Sequence, residues 1–371
     1  EMSTSLPALH WALATARRTW GGDALPSLFK AEIGPLKALD SWVQRSDGPQ
    51  WRAFPHELCL HIQASNLGVP GLEGAIFALF LGAPCLVKLP RSGGQGPLLQ
   101  AFKDALALHA PEVAQALEGV YWPGGDEALE ALAFASADVC LFQGGDEALG
   151  DIRRRLPPST RLVAHPNRFS ASYVDATELG RPGLAQALVE DICRYDQLGC
   201  LSPRGIFLRG SMGEARALMA SMDEAFKGRD PEELTPLSLE SQGQLAQLRG
   251  RLAFTGAFVA GPGYGVGVDP GPFRPAPTSR VGIITPVEDL QGALGALEPY
   301  RGRVQGVALG VGEGARLAVA EAFAEIGVPY ITEVGAIQRP VAGWPADGRP
   351  LMGDLPRVSL FSGGGGGGGG G

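Results

Sequence analysis

Between residues 58 and 165, five short apolar runs alternate with helical tracts, and that alternation confines the segment to a parallel sheet wrapped by helices. The runs lie at 58–62, 85–89, 119–122, 138–142 and 161–164, with helical patterns at 72–81, 95–109, 127–134 and 147–156 between them. In the second of those helices Leu98, Leu99, Phe102 and Leu106 fall on one face, which must be buried. A doubly wound sheet of this kind takes its ligand at the carboxyl ends of the strands.

A second α/β set comes after a helix at about 184–195. Strands are expected near 205–209, 252–259, 280–284, 304–310 and 328–331, with helices at 213–227, 287–297 and 313–326. The segment 261–277, GPGYGVGVDPGPFRPAP, is so rich in Gly and Pro that it is expected to be one long loop. A chain of 371 residues with 45% apolar content suits two packed domains. The expected division is a helical N-terminal segment (1–55), a Rossmann-like dinucleotide domain (56–196), a cysteine-bearing catalytic domain (197–345) and a C-terminal segment (346–371). The nine glycines at 363–371 cannot pack and are set aside as linker or tag.

The net charge of −8 and the pI near 5.3 argue against nucleic acid, whose phosphates demand a surplus of Lys and Arg. No apolar run is long enough to cross a bilayer, and residues 6–20 read as an ordinary helix rather than a signal peptide. The five cysteines are odd in number, widely spaced and without a CxxC pair. That pattern suits a reducing compartment, the cytoplasm, and offers neither a disulfide frame nor a metal site.

Four cysteines (Cys59, Cys85, Cys140 and Cys193) sit in apolar stretches. Cys200 instead sits in Gln197-Leu198-Gly199-Cys200-Leu201-Ser202-Pro203, on a turn between a helix and a strand. A thiolate so placed attacks thioesters and aldehydes well and leaves well. The alternative for any cysteine is a small buried hydrophobe.

The segment RYDQLGCLSPRGIFL resembles the active-site segment of the acyl-CoA reductase family, a divergent branch of the aldehyde dehydrogenase superfamily that includes the fatty acid reductase of bacterial luminescence. Asp196, Gln197, Cys200, Ser202 and Pro203 carry the match. SNLGVPGLEGAIFALFLGAPCLVKLPRS (65–92) is similar to the superfamily's Asn-containing loop, helix and Lys-containing strand. CLFQGGDEALGDI (140–152) resembles its phosphate-facing turn, HPNRFSASYV (165–174) the segment that elsewhere opens on a catalytic Glu, and GWPADGRP (343–350) a C-terminal motif.

The resemblance implies two doubly wound parallel-sheet domains of aldehyde-dehydrogenase type, with the active site between them. It implies NADPH-dependent reduction of a fatty acyl thioester, on CoA or a carrier protein, through an acyl group on Cys200. Asn66 and the Cys200 backbone N–H would hold the carbonyl oxygen. Lys88 would meet the adenosine ribose, and Gly144 and Gly145 the pyrophosphate. Arg91 stands where ordinary members carry a Glu, which favours NADPH over NADH because a guanidinium pairs with a 2′-phosphate. His165 replaces the water-activating Glu of the oxidising enzymes, which suits a reductase that must spare its acyl-enzyme; its imidazole could still serve as acid or base. No GxGxxG occurs at a strand-to-helix junction, as is usual in this superfamily. The alternatives are an aldehyde dehydrogenase, a short-chain acylating dehydrogenase, or a non-catalytic binding protein on the same fold. Homo-oligomers are common in the superfamily.

Overall fold

The computed structural model describes residues 6–362 apart from 67, 92, 93 and 235, so the glycine tail at 363–371 lies outside the described residues. The chain divides into two compact units, Ala16–Pro166 with Pro350–Gly371, and Glu1–Thr15 with Asn167–Arg349.

The first unit holds strands β1 (Val43–Gln44), β2 (Gln50–Phe54), β3 (Cys59–Ile62), β4 (Cys85–Lys88), β5 (Leu117–Val120), β6 (Val139–Gly144) and β7 (Arg161–Pro166). The last five form one wholly parallel sheet in the order β5-β4-β3-β6-β7. The chain steps outward from β3 to β5 and then returns to the far side of β3. The loops that leave β3 and β6 therefore diverge, and a crevice at that switch point is where such sheets take ligands. Leu60, Phe134, Cys140 and Phe142 fill one face. The Asp138 carboxylate accepts the Glu57 and Leu58 N–H groups at 2.6 and 3.2 Å, which fixes the entry to β3. The third strand expected from sequence lies two residues earlier than the apolar run suggests.

Residues 1–55 are not helical throughout. After helices Leu6–Trp20 and Ala24–Glu32 the chain forms β1 and β2, which join Arg357–Phe361 in a three-stranded antiparallel sheet. Alternate burial of Trp51 and Ala53 in β2 is the period of two that a half-covered strand requires. The Glu32 carboxylate accepts the backbone N–H groups of Leu351, Met352 and Gly353 at 2.7–2.9 Å, tying the C-terminal segment into this unit.

The second unit holds β8 (Phe169–Asp175), β9 (Pro203–Arg209), β10 (Ala257–Gly261), β11 (Tyr264–Val268), β12 (Val281–Val287), β13 (Val304–Gly310) and β14 (Tyr330–Glu333). They make a seven-stranded sheet, β10-β11-β12-β9-β8-β13-β14, antiparallel only at β10–β11. Strand β8, which the sequence reading leaves unassigned, is central: it pairs with both β9 and β13. Residues 167–196 therefore lie in the second unit, and the division falls after Pro166 rather than near 196.

The Gly/Pro-rich segment is not one loop. β11 occupies its first half and pairs with β10 across Pro262-Gly263, where Gly263 has φ +79°. Pro followed by a positive-φ Gly is the chemistry of a tight turn. The strand glycines serve close packing: a Cβ on Gly265 would lie 2.7 Å from Phe258 Cζ, and one on Gly267 2.7 Å from Leu252 Cδ1. The strand expected at 252–259 is instead the end of helix Leu239–Thr255 and then β10.

Candidate active site

Six of the seven sequence-predicted site residues gather at one edge of the first unit, the carboxyl ends of its parallel sheet. Asn66 stands exposed on the turn after β3, Lys88 ends β4 and Arg91 is exposed three residues on. Gly144 ends β6, Gly145 is the residue before helix Asp146–Arg155, and His165 lies near the end of β7 opposite Gln143. The turn that carries Asn66 is held by two buried amides. Gln63 Nε2 donates to the Gly71 carbonyl at 2.7 Å, and Gln95 Nε2 to that of Ala64 at 3.3 Å.

Sequence reasoning missed the polar groups beneath this edge. His61, fully buried in β3, meets the Gln143 side chain at 3.3 Å. Burial pushes its imidazole down to about 4, so it is neutral at pH 7. Glu73 opens helix Glu73–Phe80 and accepts the Trp20 indole N–H at 3.0 Å. Burial raises its carboxyl; the Trp20 bond and the nearby His165 pull it back. His165 lies near enough to act electrostatically on both His61 and Glu73. A buried His in an apolar strand and a Glu at a helix start carry no distinctive sequence pattern.

Cys200 belongs to the second unit, on the turn between helix Leu184–Cys193 and β9. It is half-buried, whereas Cys59, Cys85, Cys140 and Cys193 are buried, and the chain has no disulfide. The turn opens with three consecutive L-residues in left-handed conformation, Tyr195, Asp196 and Gln197 (φ 53°, 51° and 62°). At ~1–2 kcal/mol each this costs roughly 3–6 kcal/mol. Gln197, 1% exposed, offsets much of that cost. Its Nε2 donates to the carbonyls of Pro203 and Val281 at 2.7 and 2.8 Å, and its Oε1 accepts the Val281 N–H at 2.7 Å. One side chain therefore bridges the first residues of β9 and β12, three residues before those strands pair directly at Ile206 and Ile284.

Around the thiol the backbone is pinned. Ser170 Oγ donates to the Cys200 carbonyl at 3.0 Å, and Ser170 N to that of Ser202 at 3.2 Å. Ser202 N donates to the Gly199 carbonyl at 3.0 Å, and Gln338 Nε2 spans Ser202 Oγ (3.0 Å) and the Asp191 carbonyl (2.9 Å). These contacts account for the Gln197 and Ser202 that flank Cys200: they fix the backbone on which the sulfur is mounted.

Asp191 lies directly behind this turn. Its Oδ2 accepts the Gly335 N–H at 2.6 Å, and complete burial pushes its carboxyl up to about 8. The folded chain thus keeps a proton that the unfolded chain loses near pH 4, and stability falls as pH rises from about 4 to 8. Asp191→Asn, which cannot ionise, should melt close to the wild type at pH 5. At pH 8 it should be more stable by a few kcal/mol, on the order of 5–10 °C in melting temperature. Parallel melting temperatures for the two proteins at pH 5, 6.5 and 8 would contradict this assignment.

Among the described residues no helix is long and apolar enough to cross a membrane, and no group of three or more His, Cys, Asp or Glu could hold a metal ion.

The two α/β units and their sheet orders define an aldehyde-dehydrogenase-like fold. Over 95% of its length the chain superposes on an NADP-dependent glyceraldehyde-3-phosphate dehydrogenase from Bacillus halodurans C-125, solved with NADP (TM-score 0.68, 15% identity, 85% of that chain). A candidate aldehyde dehydrogenase, PutA, from Anabaena variabilis superposes similarly (TM-score 0.65, 14% identity, 96% of this chain and 86% of that one). Residues 3–358 match the family model of the acyl-CoA reductases (LuxC), and the chain belongs to that family. It is 26% identical over 190 residues to the long-chain acyl-protein thioester reductase of Aliivibrio fischeri, a match that takes in 50% of this chain and 39% of the relative.

The reductase family implies a nicotinamide cofactor, and the carboxyl edge of the first sheet suits one. The Lys88 ammonium lies 6.0 Å from the centre of the Trp122 ring, whose buried Nε1 carries no hydrogen bond. Around Gly145 no atom would obstruct even a Cβ, so backbone there is open to close approach. Asp146 and Glu147 make the first turn of the next helix acidic, while Lys88 and Arg91 bring two cations to the same edge.

Proposed function

We propose that this chain reduces a long-chain fatty acyl thioester to the aldehyde through a covalent acyl group on Cys200, with NADPH as the reductant. The observation that carries the proposal is the half-exposed Cys200 on a strained, side-chain-locked turn, in a chain whose other four thiols are buried.

The Cys200 thiolate attacks the thioester carbonyl carbon, a new C–S bond forms, and the bond to the departing thiolate of CoA or a carrier protein breaks. The cofactor, when bound, supplies a hydride to the acyl carbon. Asn66 and the Cys200 N–H stabilise the oxyanion of each tetrahedral stage; one such donor contributes about 3–4 kcal/mol. Collapse of the second oxyanion re-forms the carbonyl and breaks the Cys200–carbon bond, which releases aldehyde and restores the thiolate. By resemblance, His165 replaces the carboxylate with which an oxidising enzyme activates water, which would spare the acyl-enzyme hydrolysis. Its imidazole is proposed to hold or pass a proton. Lys88, Gly144 and Gly145 would hold ribose and pyrophosphate. Five cysteines without a disulfide suit the cytoplasm.

The reaction class is tested by incubating the protein with a long-chain acyl-CoA and no cofactor, then mapping the adduct by mass spectrometry. A thioester on Cys200 that disappears on adding NADPH, with aldehyde formed, is the expected result; absence of any adduct contradicts it. Running the series across chain lengths separates a long-chain from a short-chain acylating enzyme.

Arg91 carries the cofactor preference. Arg91→Ala should weaken NADPH binding about 10–100-fold, the loss of a charge-assisted pair, and leave NADH binding nearly unchanged in a fluorescence titration. Equal or better catalytic efficiency of the wild type with NADH would overturn the assignment.

A further inference from the structure

Resting on the reading of Cys200 as the acylated nucleophile, we propose that Arg280 and Asp196 form a clamp that positions this thiol for attack. Arg280 is among the largest fully buried side chains, at 1% exposure. A buried guanidinium persists only with acceptors built around it. Here they include the Asp196 carboxylate and the Gly263 carbonyl, the latter 2.7 Å from Nε.

Both ends of this pair stand on left-handed backbone: residues 195–197 on one side, Ser279 and Arg280 (φ 76° and 63°) on the other. None of the five is glycine. The Ser279 N–H donates to the Asp196 carbonyl at 3.1 Å, and the next residue after Arg280, Val281, is the one that Gln197 binds through both of its backbone groups. Two left-handed segments thus face each other, joined by an ion pair, a backbone bond and an amide bridge. From the clamp to the thiol there is little slack. Leu198 N donates to the Tyr195 carbonyl at 2.9 Å, and the Gly199–Ser202 and Ser170–Cys200 bonds pin residues 199–202. Strain held in place by so many partners marks a segment whose exact shape is used. Glycine at 196 would give the same turn without strain, but it would lack the carboxylate that fixes the turn to β12. Arg280 has no sequence signature of its own; it comes after Pro-Thr-Ser at a strand start.

The clamp is tested with Asp196→Gly, Asp196→Asn and Arg280→Lys. The control is Arg251→Met, which removes the Arg251–Asp269 pair (2.6 Å) elsewhere in the same unit. Two rates are followed by mass spectrometry across pH 6–9: alkylation of Cys200 by iodoacetamide and its acylation by long-chain acyl-CoA. Asp196→Gly should still melt cooperatively, because glycine is at ease in left-handed backbone. Its acylation rate at saturating acyl-CoA should fall about 100-fold with half-saturation little changed, the signature of a misplaced nucleophile. Asp196→Asn keeps an oxygen for Arg280 and should recover most of the rate. Arg280→Lys, which cannot hold Asp196 and Gly263 together, should lose about 10-fold and stands in if the glycine variant does not fold. Arg251→Met should melt lower yet react at the wild-type rate. Wild-type reactivity in Asp196→Gly, or an equal loss in Arg251→Met, overturns the clamp. Wild-type Cys200 that alkylates but never acylates removes the acyl-enzyme reading alone; the clamp then stands or falls on the alkylation rates.

Discussion

Cys200→Ala should form no acyl adduct and should lose at least ~10⁴-fold in acyl-CoA reduction, the scale on which loss of a nucleophile is felt. No other thiol can stand in. Cys59, Cys85, Cys140 and Cys193 are buried in the strands and helix that build the two cores. Burial pushes the Cys140 and Cys193 thiols up to about 12, and Cys59, beside Cys85, also lies well above its usual range. Such thiols stay protonated at neutral pH and are poor nucleophiles. Intact-mass measurement after exposure to long-chain acyl-CoA, paired with the decay of NADPH absorbance, reads both losses. An adduct or sustained turnover in the alanine variant would refute the covalent route.

Asn66→Ala should lower turnover about 10²–10³-fold while half-saturation by acyl-CoA moves little. The reason is timing. The amide is needed most when charge has developed on the carbonyl oxygen, so its removal destabilises the transition state far more than the bound substrate. The turn itself should survive, because the Gln63 and Gln95 side chains hold it from below. Steady-state kinetics together with an unchanged melting temperature test this. A variant that loses half-saturation instead of turnover would assign Asn66 to ground-state binding, against the proposal.

Much of the architecture was legible because buried parallel strands read as unbroken apolar runs. Strands β4, β6, β7, β9, β12 and β13 each contain one, and the helices between them show one apolar face. The elements that escaped did so for physical causes. β11 is spelled Tyr-Gly-Val-Gly-Val, and its glycines suggest a loop until Phe258 and Leu252 are seen pressed against them. β8, Phe-Ser-Ala-Ser-Tyr-Val-Asp, carries two serines at fully buried positions. Ser170 is satisfied by the Cys200 carbonyl, a partner thirty residues away that no local pattern announces. The same limit applies at the site. Cys200, Asn66 and Lys88 could be singled out because their chemistry is distinctive at a strand end or turn. Arg280, Asp191, Gln338 and Glu73 act through tertiary contacts made across 50 to 150 residues of chain, and their neighbours in sequence are unremarkable.

The distribution of sulfur has a practical outcome. With four thiols walled in and the fifth at the surface of a turn, a maleimide dye, spin label or mercurial offered briefly at neutral pH should attach once per molecule. This chain therefore arrives as a singly addressable scaffold, and the label reports from the very spot where chemistry is proposed. No cysteine needs to be engineered in or out.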